Sequence, residues 1–210
     1  KNTKDIAVFE MDERSTIHIF KYITPTYLVC NNLSRDSLKR NAHTAFIAGI
    51  INNAIPKDTT VITNGDDPIC VNLASENKKI YFGIDRLDTD TEKCENIVQD
   101  MVLCPKCGTK LEYEYYRYHH VGKMKCPNCG FGTPKRDYET TKIDFENKLV
   151  TIKDNDKNTE YSYSMVADGI INIYNMLSAI VALKQVGLSD EKINDALKKT
   201  KIVDTRFLQD

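Results

Sequence analysis

Short apolar runs alternate with longer amphipathic stretches through the first half of the chain. Residues 5–10 (Asp-Ile-Ala-Val-Phe-Glu) read as a buried strand, and a helix is predicted over about 14–22. Tyr27-Leu28-Val29-Cys30 is the next strand, ending in Asn31-Asn32. A longer helix is predicted over about 36–54. Pro56 stops it, because proline lacks the amide hydrogen and clashes with the preceding turn. Thr60-Val61-Ile62-Thr63 forms a third strand, closed by the turn residues Asn64-Gly65-Asp66-Asp67. A short helix to Ala74 and the strand Lys79-Ile80-Tyr81-Phe82-Gly83 complete the series. Strands separated by helices specify a parallel sheet covered on both faces.

The rhythm then changes. Leu111-Glu112-Tyr113-Glu114-Tyr115 alternates with period two, as a hairpin strand does. Strands near 141–145 and 148–153 are joined by Glu146-Asn147, and a polar stretch covers 154–160. An apolar helix follows over about 170–186, capped by Gly187. Ser189 opens a last helix with Glu191 in its first turn. The expected architecture is α/β. A mostly parallel sheet with helices on both faces is built from residues 1–97 and 142–210, and residues 98–141 are inserted into it.

The insertion has its own chemistry. Cys104-Pro105-Lys106-Cys107-Gly108 and Cys126-Pro127-Asn128-Cys129-Gly130 are separated by eighteen residues. Four thiols at this spacing predict a closed tetrahedral Zn²⁺ site, the arrangement of a zinc ribbon with a structural metal. The glycine after each second cysteine permits the positive φ that turns backbone amides toward the sulfurs. His119 and His120 stand nearby, but the two cysteine pairs already complete a tetrahedron. The other three cysteines, Cys30, Cys70 and Cys94, lie in or beside apolar runs and read as core fillers. Unpaired thiols in this number imply a reducing compartment, and the expected location is cytoplasmic.

A net charge of -1 over 210 residues hides an asymmetry. Between Cys104 and Arg136 there are seven Lys/Arg against Glu112 and Glu114, interleaved with Tyr113, Tyr115, Tyr116 and Tyr118. Basic residues among aromatics are a nucleic-acid signature, but this excess is small and forms no continuous stripe, so nucleic acid is not the expected partner. Asn172, Asn175, Lys184 and Gln185 interrupt the most apolar stretch, and no run has the length of a membrane span.

Outside the insertion the chain resembles the central domain of the Mur ligases, the ATP-dependent amide-forming family of peptidoglycan synthesis. Glu10, in Val8-Phe9-Glu10-Met11-Asp12-Glu13, stands where the family places its Mg²⁺-coordinating glutamate. Asn32-Leu33-Ser34-Arg35-Asp36-Ser37-Leu38-Lys39-Arg40 resembles the Asn-x-x-x-Asp-His-Leu-Asp-Arg signature, and Asn64-Gly65-Asp66-Asp67 resembles the Asn-x-Asp-Asp turn. Asn172 to Ile180 resembles a helix start whose first asparagine contacts the nucleotide. Arg206 matches the arginine that reaches its phosphates. The resemblance implies that Glu10, Asn172 and Arg206 converge on one crevice at the carboxyl ends of the parallel strands.

Within that family the chain is similar to the branch that carries a four-Cys ribbon in this domain. The resemblance implies a subunit that uses ATP and Mg²⁺ to activate the D-isoglutamate α-carboxylate of lipid II. A GatD-type glutaminase partner would supply ammonia to make D-isoglutamine. Three departures stand out: Ser37 replaces the usual His, Ile51 and Asn52 occupy the region of the carbamoylated lysine, and no Gly-x-x-x-x-Gly-Lys-Ser/Thr phosphate loop occurs. The chain therefore reads as a piece of a larger enzyme, with its main catalytic residues elsewhere and inactive alone. Two alternatives stay open: a nucleic-acid-binding ribbon on an α/β scaffold, and a relative of folylpolyglutamate synthase.

Overall fold

A computed structural model describes residues 3–33, 44–94 and 100–201. A 3₁₀ turn (Glu13–Ser15) and the short helix α1 (Thr16–Ile19) precede β1 (Tyr27–Cys30). Next come α2 (Thr44–Ala54), β2 (Thr60–Asn64), α3 (Pro68–Asn72) and β3 (Lys79–Ile84). A hairpin of β4 (Glu112–Tyr118) and β5 (Val121–Lys125) lies in the insertion. The chain returns through β6 (Tyr138–Asp144), β7 (Leu149–Asp154) and β8 (Thr159–Ser164), then α4 (Ile170–Gln185) and α5 (Asp190–Lys199).

The main sheet has the order β1-β2-β3-β6-β7-β8. The first four strands run parallel, and β7 and β8 extend the sheet antiparallel. Alternation along each strand sends successive side chains to opposite faces. Ile62, Ile80, Phe82, Ile84, Val150, Ile152 and Tyr163 point to one face. There they bury against Ile173, Tyr174, Leu177, Ile180 and Val181 of α4 and Ile193 of α5. The α4 positions recur at three- and four-residue spacing, which makes a single apolar stripe. Val61 points to the opposite face, with Ile51 of α2 and Ile69, Cys70 and Leu73 at α3; Ile47 and Ile55 extend that stripe. Helices thus cover both faces, as expected from the sequence.

Three expectations need correction. Residues 5–10 pair with no strand among the described residues, and Ile6, Val8 and Phe9 are exposed, Val8 by 93%. An apolar run becomes a buried strand only where neighbouring strands take up its backbone groups and a face covers its side chains. β8 fills part of the stretch read as polar connection: its Tyr161 and Tyr163 alternate with Glu160, Ser162 and Ser164, and it completes a hairpin with β7. β6 begins at Tyr138 rather than near 141. Tyr138, Glu139 and Thr140, placed within the expected 98–141 insertion, pair with Phe82, Gly83 and Ile84 of β3.

Candidate metal centre and its junction with the sheet

Both cysteine knuckles have the same backbone plan. The Cys104 amide donates to the Thr109 carbonyl (2.8 Å) and the Gly108 amide to the Cys104 carbonyl (2.9 Å). In the second knuckle, Cys126 donates to Phe131 (2.5 Å) and Gly130 to Cys126 (3.2 Å). Gly108 and Gly130 both adopt φ of 73°, the left-handed conformation their position predicted. The loops face each other, so that all four thiols, Cys104, Cys107, Cys126 and Cys129, lie within 4.8 Å of one another. Sγ separations are 3.5 Å for Cys104–Cys129 and 3.4 Å for Cys107–Cys126. A tetrahedron with Zn–S bonds of about 2.3 Å has edges of about 3.8 Å, so the cluster is of the right size to close around the ion. Its electrostatics also fit. Hydrogen bonds from the Thr109 hydroxyl and amide bring the Cys107 thiol down to about 5. The Phe131 amide favours the Cys129 thiolate, but burial and contact with the other three sulfurs outweigh it and push that thiol up to about 12. Four crowded thiols resist full ionisation without a cation among them, and a divalent metal relieves that repulsion. Val71, Leu111, Met124 and Phe131 form a small apolar cluster with the buried Cys104 and Cys126.

The ribbon is fastened to the carboxyl end of β2 through buried charge. Asp66, fully buried, receives Arg117 Nη1 on Oδ2 (3.0 Å), and Arg136 Nε and Nη2 on Oδ1 (3.0 and 2.6 Å). The Ile84 amide (2.9 Å) and the Tyr174 hydroxyl (2.7 Å) also donate to Oδ2. Arg117 reaches on to Asp90 with Nε (3.0 Å) and Nη2 (2.8 Å), and its side chain is 2% exposed. Burial disfavours both guanidinium charges, but the carboxylates beside them more than compensate, and both stay ionised. The Gly122 amide donates to the Asp66 carbonyl (2.9 Å), a backbone tie in the same place.

Asp67 does two things. Its carboxylate caps α3 by accepting from the Ile69 and Cys70 amides (2.8 and 3.3 Å), and His120 Nε2 stands 3.2 Å from its Oδ1. Burial raises the Asp67 carboxyl, yet the His120 charge and the amides bring it below its ordinary value. Burial lowers His120, yet Asp67 lifts it above its ordinary value. His120 is therefore part of the junction and lies outside the four-thiol cluster.

No protein-family model matches the chain. It is 32% identical over 208 residues to the MurT subunit of the glutamine-hydrolysing lipid II isoglutaminyl synthase of Streptococcus pneumoniae (strain ATCC BAA-255 / R6), covering 97% of this chain and 45% of that protein. The MurT subunit of Staphylococcus aureus (strain COL) is 29% identical over 195 residues, covering 92% and 43%. The chain thus spans less than half the length of these relatives. Among solved structures, a pseudomurein peptide ligase type C from Methanothermus fervidus aligns with a TM-score of 0.67 and 28% identity, over 86% of this chain and 35% of that one. In sequence and in fold the chain is similar to the Mur ligases over most of its length. MurF from Acinetobacter baumannii shares the fold at 13% identity, with a TM-score of 0.54 over 91% of this chain and 32% of that one.

The Mur ligase signature residues fall in different settings. Asn64 and Asp66 form a buried turn in which the Asp66 amide donates to Asn64 Oδ1 (2.9 Å), and this turn receives the ribbon. Asn31, just past β1, donates to Asn175 of α4, so the second asparagine of the helix motif meets the carboxyl end of the sheet. Asn172 lies in the first turn of α4, its amide donating to the Asp168 carbonyl (2.7 Å). Glu10 is exposed, in the segment outside the sheet. Arg206 lies outside the described residues, as do positions 34–40 of the Asn32–Arg40 signature.

The sequence counts Arg117 and Arg136 only among the seven basic residues of the ribbon, whereas the structure buries both in ion pairs. A usable signal was present. Period-two alternation puts Arg117 on the face of Tyr115, and Tyr115 is 2% exposed. The tyrosines likewise cover the ribbon's interior instead of offering a stacking platform. Tyr113 and Tyr116 stack on each other at 4.0 Å, and Tyr118 packs edge-on against Tyr174. No helix among the described residues is long and apolar enough to cross a membrane.

Proposed function

We propose that this chain is the zinc-ribbon-bearing central segment of a cytoplasmic, ATP-dependent amide-forming ligase that converts the D-isoglutamate α-carboxylate of lipid II to D-isoglutamine. The observation that carries this reading is the alignment of 97% of the chain with a MurT subunit, with the four-thiol cluster formed in place. A free carboxylate has no viable leaving group. Transfer of the ATP γ-phosphoryl group to one carboxylate oxygen supplies one and releases ADP. Ammonia then attacks the carbonyl carbon, loses a proton and expels inorganic phosphate. In this reading a GatD-type glutaminase provides the ammonia.

Cys104, Cys107, Cys126 and Cys129 would hold Zn²⁺. Four protein ligands leave no position for water or substrate, so the metal supplies cohesion and no bond-making chemistry. For the nucleotide, the reading gives Glu10 to Mg²⁺, Asn172 to the nucleotide and Arg206 to its phosphates. One carboxylate suffices for such a role, because Mg²⁺ keeps most of its shell as water and substrate phosphate. The nucleic-acid alternative loses support where Arg117 and Arg136 are spent on Asp66 and the tyrosines on one another.

The test is an amidation assay on the complete protein carrying this chain, with a GatD-type glutaminase, ATP, glutamine and lipid II. Amidated lipid II, ADP and phosphate in equal amounts are the expected products. ATP hydrolysis without amidation, or amidation independent of ATP, would reject the reading.

A further inference from the structure

Arg117 belongs to the ribbon, yet its guanidinium ends at the first turns of α4. Nη1 donates to the Tyr174 hydroxyl (2.5 Å), to Asp66 Oδ2 (3.0 Å) and to the Ile84 carbonyl (3.2 Å). Nη2 reaches the Asp85 carbonyl (2.9 Å) and Asp90 Oδ2, while Nε takes Asp90 Oδ1. All three nitrogens are used, and one planar fork joins the ends of β2 and β3 to the helix α4 packed on the sheet. Tyr174 is fully buried, and its hydroxyl donates in turn to Asp66 Oδ2 (2.7 Å). At this end α4 has no side-chain cap: its N-cap is Gly169, at φ of 95°. Among the described residues, the polar ties of its first turns to the body of the protein are Tyr174 to Arg117 and Asp66, and Asn175 to Asn31. Arg117 is itself fixed by β4, the strand that runs between the two cysteine knuckles.

We propose that Arg117 is a positioning residue through which the metal-bearing ribbon holds the amino-terminal turns of α4 against the carboxyl end of the sheet. Metal loading orders the knuckles, the knuckles fix the β4–β5 hairpin, and the hairpin delivers Arg117 to Tyr174. Asn172 lies two residues from Tyr174. Its role toward nucleotide rests on the function proposed above, whereas the mechanical coupling does not. A lysine at 117 places one ammonium where three nitrogens now reach six acceptors, so the conservative exchange does not restore the link.

Amide hydrogen exchange followed by mass spectrometry, on the zinc-loaded full chain with zinc measured in each sample, tests the coupling. Arg117→Met and Arg117→Lys should raise exchange over residues 170–176 at least tenfold while zinc stays bound. Residues 180–185 should stay protected. Chelating the metal from the unaltered chain should produce the same pattern, and chelation should add little to Arg117→Met. Tyr174→Phe removes one hydroxyl, keeps the packing and serves if the Arg117 variants do not fold; it should raise exchange over 170–176 several-fold with the ribbon unchanged. Unaltered exchange over 170–176 in a folded Arg117→Met or in Tyr174→Phe would overturn the proposal. So would additive effects of Arg117→Met and chelation. In the complete enzyme, Tyr174→Phe should raise KM for ATP several-fold with kcat nearly kept. Raised exchange with unchanged KM would remove Asn172 from the nucleotide site and leave the coupling standing.

Discussion

The layer of β2, β3, β7 and α4 and the ribbon against its edge are built on opposite principles. In the first, Ile62, Phe82, Ile84, Val150, Ile173, Leu177 and Ile180 are all fully buried, and cohesion comes from apolar area removed from water. The ribbon has too few apolar side chains for that. Its cohesion comes from a four-thiol cluster at one end and buried arginine–carboxylate pairs at the other. Apolar packing degrades by increments when a methylene is lost. A charge network fails by leaving a partner stranded, because a buried carboxylate without its cation costs far more than a small cavity.

Breaking the network should therefore give the largest effect. Arg117→Met leaves Asp66 short of one cation and Asp90 without its arginine, and about 3–5 kcal/mol of stability should be lost, measured by urea denaturation. A loss no larger than that of an exposed ion pair, under about 1 kcal/mol, would erase the contrast between the two regions.

Metal removal should come next. Zinc at a thousandfold excess over its dissociation constant should stabilise by about 4 kcal/mol, and chelation should return that amount. A ribbon that behaved as an independent module would leave the α/β core melting on its own. Val121 of β5 lies in the main core and Tyr118 packs against it, so calorimetry of Cys126→Ser should show one transition displaced downward. Two separated transitions would restore the view of the ribbon as an independent module.

A smaller, sharper probe is Gly83→Ala. An added Cβ would lie 2.3 Å from Arg136 Nε and 2.6 Å from Asp66 Oδ1, so this glycine lets the ion pair cross directly over β3. The arginine is held by two carboxylates and has no easy retreat. About 1–3 kcal/mol should be lost, as for other overpacked sites. Gly49 has open space around its added Cβ and serves as the control: Gly49→Ala should leave stability unchanged or raise it slightly.

The smallest expected effect depends on pH. Asp67 sits below its ordinary 3.8, so its contribution is present above that pH and disappears as pH falls through the lowered value. His120, faced by Asp67 and Asp100, sits above its ordinary 6.5, so its contribution is complete below 6.5 and disappears as pH rises through the raised value. The stability difference between the unaltered chain and His120→Asn should be greatest between about pH 4 and 6.5 and should shrink in alkali. A difference that grows with rising pH would mean that the imidazole works in its neutral form.

The parts of the fold that were legible in the sequence depend on local chemistry. β1, β2 and β3 followed from compact apolar runs, α4 from its apolar stretch ending at Gly187 and α5 from the Ser189 cap, whose hydroxyl accepts from the Lys192 amide. The cysteine spacing carried the four-thiol cluster because each knuckle folds within a handful of residues. The junction was not legible. Arg117 meets Asp66 across 51 positions and Asp90 across 27, and a charged residue looks solvated until its partners arrive. β8 was missed for a related reason: its polar face is written in serines and a glutamate, and only pairing with β7 makes it a strand.

β3 and β6 lie side by side in the sheet although the whole ribbon separates them in the chain. A parallel neighbour that arrives so late must wait for a long loop to close, and the entropy of that search is spent before any ladder bond repays it. Knuckles closed on a metal would shorten the search by drawing together the two ends of that loop, which in the folded chain bring Arg136, at its exit, within 3.1 Å of Asp85, at its entry. Zinc would thus set the pace of assembly as well as its final depth. A chain made in zinc-poor conditions would linger with the edge of β3 open, the state in which unpaired strands find partners on other molecules.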